Sequence, residues 1–147
     1  MTVLQIALLL MLAAGQPADL VRPNPDLTPG LTRPLSQETI CTTKWGLDRR
    51  RVTVAMKREV ATAYSVPWER RREYEFDHLI PRSLGGADAS LNLWPQPWVG
   101  DYGARKKDRL EVRLGKLVCG GALSLDVARD AIVTDWVAAY RMYVTGP

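Results

Sequence analysis

Phe76-Asp-His-Leu-Ile80, Gly85-Gly86 and Leu91-Asn-Leu-Trp94 follow one another within a single short stretch, and how they are read decides the fold. Both runs are too short for helices, are rich in branched and aromatic residues, and are separated by a glycine turn signal. Such a pattern predicts two strands of a hairpin with a long, loose connection. Pro95 marks the expected stop of the second strand, because proline lacks the N–H that a strand ladder uses.

Outward from the hairpin the period becomes helical. Met56, Val60, Ala63 and Tyr64 share one stripe behind a Thr53 cap, which predicts a helix over residues 53–64, and Pro67 is placed to open a short second helix to Arg72. Downstream, Leu110, Leu114, Leu117 and Val118 predict a helix over residues 102–119 that ends at Gly120-Gly121. Ser124 caps a third long helix carrying Leu125, Ala128, Ile132, Trp136, Ala139, Tyr140 and Tyr143. The short turn between these last two helices makes them antiparallel neighbours. The expected fold class is α+β, mainly helical with a small two-stranded hairpin, in one domain over residues 39–147.

Residues 16–38 contain Pro17, Pro23, Pro25, Pro29 and Pro34 without a hydrophobic period, so they read as an extended or flexible arm, with folded structure beginning near Ile40-Cys41. Before the arm, the apolar run from Val3 to Ala14 and the small residues after it read as a signal peptide over residues 1–15. The run falls short of the roughly 20 residues that span a bilayer, so no membrane-embedded mature chain is expected. Export makes the periplasm or the medium the expected location. There, Cys41 and Cys119 meet oxidising conditions, and a Cys41–Cys119 disulfide is expected, against the alternative of two thiols that never meet. Two cysteines are too few for a four-ligand zinc knuckle.

Hydrophobic residues make up 46% of the chain, which excludes a disordered polyelectrolyte and implies a core. Net charge is +4, and residues 1–15 hold no charged side chain, so the mature protein keeps the whole excess. The cations cluster at Arg49-Arg50-Arg51, Arg70-Arg71-Arg72 and Arg105-Lys106-Lys107. Clusters of this kind suit a polyanion such as nucleic acid, although solvated helix faces carry similar runs.

Taken in order, Asp77-His78-Leu-Ile-Pro81, Gly85-Gly86 and Asn92-Leu93-Trp-Pro-Gln96 resemble the HNH nucleases, a branch of the ββα-metal endonucleases. Cys41-Thr-Thr-Lys-Trp-Gly46 and Lys107-Asp-Arg-Leu-Glu111 look like exported bacterial members of that group. The resemblance implies a strand, loop, strand and helix around one divalent cation, with nucleic acid as partner. By position, His78 would be the general base, its imidazole being able to take a proton from water near neutral pH. Asp77 would be a metal ligand, its oxygen suiting Mg²⁺ or Mn²⁺, with Zn²⁺ or Ni²⁺ as alternatives. Asn92 would act with His78, holding the loop and the imidazole by hydrogen bonds.

Neighbouring residues of a strand face opposite ways, so a shared site for Asp77 and His78 implies a bend or bulge after Phe76. The chain departs from the pattern at the third position, where the family has a His or Asn on the following helix. Asp101 is the nearest oxygen donor, with Glu111 further along. Arg105, Lys106 and Lys107 would meet phosphate at that helix's N-terminus, with Arg70 and Arg71 as a second basic contact. The alternative to an active endonuclease is a degenerate ββα scaffold that binds nucleic acid or a partner without cleavage.

Overall fold

A computed structural model describes residues 19–146; the expected signal peptide lies outside the described residues. The expected caps at Thr53 and Ser124 form, and Ser36 caps a short helix that was not expected. Ser36 accepts from the Thr39 N–H to open α1 (Gln37–Thr42), Thr53 from Met56 to open α2 (Val54–Ala63), and Ser124 from Val127 to open α4 (Leu125–Tyr140). A 3-10 turn over Trp68–Glu73 leads into β1 (Tyr74–His78), which pairs antiparallel with β2 (Leu93–Pro97); α3 (Ala104–Cys119) follows. The protein is therefore mainly helical with one two-stranded sheet.

β2 does not stop at Pro95. Its register runs from His78 opposite Leu93 to Tyr74 opposite Pro97, with Phe76 opposite Pro95. The Leu79 N–H donates to the Asn92 carbonyl and the Trp98 N–H to that of Glu73, so hydrogen-bonded pairs alternate from both ends. Pro95 and Pro97 fall on the non-bonded positions between them. The missing N–H groups would have pointed away from the partner strand, and the ladder loses nothing. The bulge expected after Phe76 is also absent, since the pairing is continuous.

The hairpin separates two cores. Phe76 and Leu93 pack with Val60, Ala61 and Val66 on the α2 side. The larger core lies between α3 and α4, where Leu110, Leu114 and Val118 meet Ala128, Ile132, Trp136 and Tyr140. The Cys41–Cys119 disulfide forms, with Cα atoms 5.5 Å apart, and ties α1 to the end of α3. That bridge fits an extracytoplasmic protein. Among the described residues, no helix is long and apolar enough to cross a membrane.

Two expectations change. The arm is not loose: Leu20 is buried, and its carbonyl accepts from Trp94 Nε1 at 2.9 Å, while Trp136 Nε1 donates to the Val21 carbonyl at 2.7 Å. Further on, Thr28 Oγ1 donates to the Leu93 carbonyl and Thr32 bridges Gly86. Folded structure thus already includes Leu20, about twenty residues before Ile40, because buried indole N–H groups and the hairpin connection need the arm's carbonyls.

The last long helix is also broken. Asp135 sits at φ −163° and ψ 98°, and its Oδ1 accepts from the Val137 and Ala138 N–H groups as a second N-cap inside the helix. Arg22 from the arm pairs with the same carboxylate at 2.9 Å.

Candidate active site

A cavity of about 360 Å³ opens at the end of β1. Its walls carry five carboxylates, Asp48, Glu75, Asp77, Asp108 and Glu111, together with Arg50, Arg82 and His78. Asp77 and His78 both reach it without a bulge because His78 is the last strand residue, and the cavity wraps the strand end.

The connection after β1 is held in place from inside. Asn92 is fully buried; its Oδ1 accepts from the Ile80 N–H at 3.0 Å, and its Nδ2 donates to the Ile80 and Ala87 carbonyls, each at 3.0 Å. It therefore fixes the loop and does not line the cavity. Gly86 packs against the same turn so closely that a Cβ would stand 1.8 Å from the Ile80 oxygen, which only glycine permits.

This clamp delivers Asp88 to His78, whose Nε2 lies 2.8 Å from Asp88 Oδ1. Asp88 Oδ2 accepts from the Arg51 N–H at 2.7 Å, and Arg82 Nε stands 3.3 Å from Oδ1. Burial alone would raise the Asp88 carboxyl, but these donors outweigh it and hold it below the ordinary value. Asp88 thus stays ionised and accepts the hydrogen bond from Nε2–H, leaving Nδ1 as acceptor. Burial pushes the imidazole below its ordinary value despite the bond to Asp88, so His78 is neutral at pH 7.

Beside the end of β1, Lys107 is 0% exposed. Its ammonium donates to Asp77 Oδ2 at 2.8 Å, Glu111 Oε1 at 2.5 Å and the His78 carbonyl at 2.5 Å. Burial would discharge the lysine, but the two carboxylates hold it ionised and raise it. Two carboxylates around one ammonium leave a net negative site, and Glu111 is correspondingly raised, first by burial and then by Asp77. Glu75 is pushed up to about 7 by burial and by the charges of Asp77 and Asp108, and Asp108 is raised by burial and Asp77.

The expected site residues therefore divide. Asp77, His78 and Glu111 come together; Asp101 is exposed in the turn before α3 and does not line the cavity. Lys107, expected to face phosphate, is an internal ion-pair partner, because it shares the buried stripe of Leu110, Leu114 and Val118. Arg105 is exposed, Lys106 lies 4.9 Å over the Tyr102 ring, and Arg70 is exposed and paired with Glu73. Arg71 lines a neighbouring cleft. Asp88, Glu75, Asp108 and Arg82 were not singled out by the sequence, and Arg50 only as one of a basic triplet.

No protein-family model, curated protein or solved structure matches the chain. Whether a divalent cation suits the site therefore rests on its donors. Glu75 Oε2 and both polar atoms of Gln96 are buried without a hydrogen-bond partner, and register places Gln96 directly opposite Glu75 on the face that carries Asp77. Hard carboxylate oxygens in excess over cations fit Mg²⁺ or Mn²⁺. Glu75, Asp77, Asp108 and Glu111 are the residues that would hold such an ion. As they stand, no three His, Cys, Asp or Glu side chains converge on one point among the described residues, since Lys107 holds one oxygen each of Asp77 and Glu111.

Proposed function

We propose that the protein is a metal-dependent endonuclease of the HNH type, exported to the periplasm or medium, that hydrolyses phosphodiester bonds of DNA, with RNA as a second substrate class. The observation that carries this reading is the neutral His78 imidazole, oriented by Asp88, on the wall of a carboxylate-lined cavity flanked by two arginines. With Nε2 committed to Asp88, His78 Nδ1 takes a proton from water as its oxygen attacks phosphorus. A positioned base of this kind contributes about 10²- to 10⁴-fold to the rate. Arg50 and Arg82 meet the charge of the entering phosphate, and Asn92 and Gly86 keep the loop that presents Asp88. A divalent cation bound among the four carboxylates would stabilise charge on the phosphate and the leaving oxygen.

The second reading, a ββα scaffold that binds nucleic acid without cutting it, is favoured by one observation. The Lys107 ammonium already occupies the point between Asp77 and Glu111. Titration calorimetry with Mg²⁺, Mn²⁺, Zn²⁺ and Ni²⁺ separates the two. The endonuclease binds Mg²⁺ or Mn²⁺, nicks supercoiled plasmid in its presence and stops in EDTA. A protein that binds no divalent ion and leaves plasmid intact is the scaffold.

A further inference from the structure

Beside the carboxylate cavity lies a second one of about 350 Å³, whose walls are basic and aromatic: Arg50, Lys57, Arg71, Trp68, Tyr74 and Trp98. The two cavities are neighbours along β1, because Arg50 and Glu75 line both. Arg50 is fixed between them, donating from Nη2 to the Phe76 carbonyl at 3.3 Å. Its aromatic rings are not equivalent. Trp68 is covered by the guanidinium groups of Arg58 and Arg71, at 4.3 and 5.1 Å from its ring, and Phe76 is buried in the α2-side core. Trp98, just past the end of β2, is 43% exposed and lines the cavity.

We infer that this second cavity takes one unpaired nucleobase, stacked against Trp98 with its phosphate at Arg50, and that the protein prefers single-stranded nucleic acid to duplex. The inference rests on the nucleic-acid reading above and adds the substrate class. An aromatic face binds any base by stacking, but only a base already out of a duplex exposes its own face. Lys57, Arg71 and Arg50 supply cations along the backbone of the same strand, as in single-strand grooves. At about 350 Å³ the cavity has the size of small-ligand sites, far below what a double helix fills.

The test is binding measured apart from cleavage. Full-length mature protein is titrated in EDTA into a fluorescein-labelled single-stranded thymidine oligonucleotide and a labelled duplex, with anisotropy as readout. The single strand should bind more tightly. Trp98→Ala should weaken single-strand binding by about 5-fold or more, the cost of one lost stacking contact. Duplex binding should be unchanged, and Trp98→Phe should restore most of the loss. Equal binding of the two forms, a Trp98→Ala variant that binds the single strand as wild type does, or one that loses both forms equally overturns the inference. Single-strand binding that depends on Trp98, with neither single-stranded DNA nor plasmid cut in Mg²⁺ or Mn²⁺, refutes the endonuclease reading and leaves this inference standing; cleavage without that dependence does the reverse.

Discussion

Asp88 sets what His78 does. Two contributions oppose each other at the imidazole: burial favours its neutral form, and the Asp88 hydrogen bond favours the charged one. Burial wins, so the base form persists to a pH below the ordinary histidine value of about 6.5. The rate should therefore be flat near neutrality and fall only as pH drops through that lowered value. Asp88→Asn removes the carboxylate charge that raises the imidazole and that fixes its tautomer. The rate plateau should drop by about 10²-fold or more, and the acid limb should move to still lower pH. A pH–rate profile of both proteins checks this; an acid limb above pH 6.5 or an unchanged plateau contradicts it. At this scale the sequence was partly legible. His78, Asp77 and Asn92 announce themselves within two short runs, and Glu111 was seen as a donor. Asp88, Glu75 and Asp108 carry no such mark, because only the folded loop and the α3 face bring them to the cavity. Lys107 was misread by its charge, although its spacing to Leu110, Leu114 and Val118 already put it on the buried stripe.

Among the elements, caps and apolar stripes gave α2, α3 and the start of α4 to within a residue or two, while α1, at the end of the proline-rich arm, was not foreseen. The hairpin's end was not readable, since whether Pro95 breaks a ladder depends on which pairs carry hydrogen bonds, a property of register. Nor was the break at Asp135, which is a cap whose partner, Arg22, lies 113 residues away. Burial would raise the Asp135 carboxyl, but Arg22 and the Ala138 and Val137 N–H groups hold it below its ordinary value. A depressed carboxyl stabilises the fold above the unfolded value, about 3.9, and loses that contribution as pH falls through the folded one. Asp135→Ala should cost about 1 kcal/mol at pH 7, the usual value of a cap. The gap to wild type should narrow below pH 4. Urea midpoints at both pH values measure it, and a gap that is absent at pH 7 or undiminished at pH 3 contradicts the capping account.

The fold holds four separate segments around one cavity: the stretch before α2 with Asp48 and Arg50, the end of β1, the turn from Pro81 to Ser83, and α3 with Asp108 and Glu111. The arm laces the hairpin connection to both cores. The disulfide closes a span of 78 residues, worth about 4.5 kcal/mol in the loop-closure account. Composition foretold a basic protein with a core, yet not that one lysine of its basic clusters would be internal or that the arm would be structural. Both depend on contacts distant in sequence. The central claim is that His78 performs chemistry in this frame and does not merely support it. Plasmid nicking by His78→Ala, with Mg²⁺ or Mn²⁺ and with circular dichroism and disulfide content matched to wild type, tests it most directly. Loss of nicking by about 10²-fold or more in a folded protein is the result the account predicts; a folded His78→Ala protein that nicks as wild type does would contradict it.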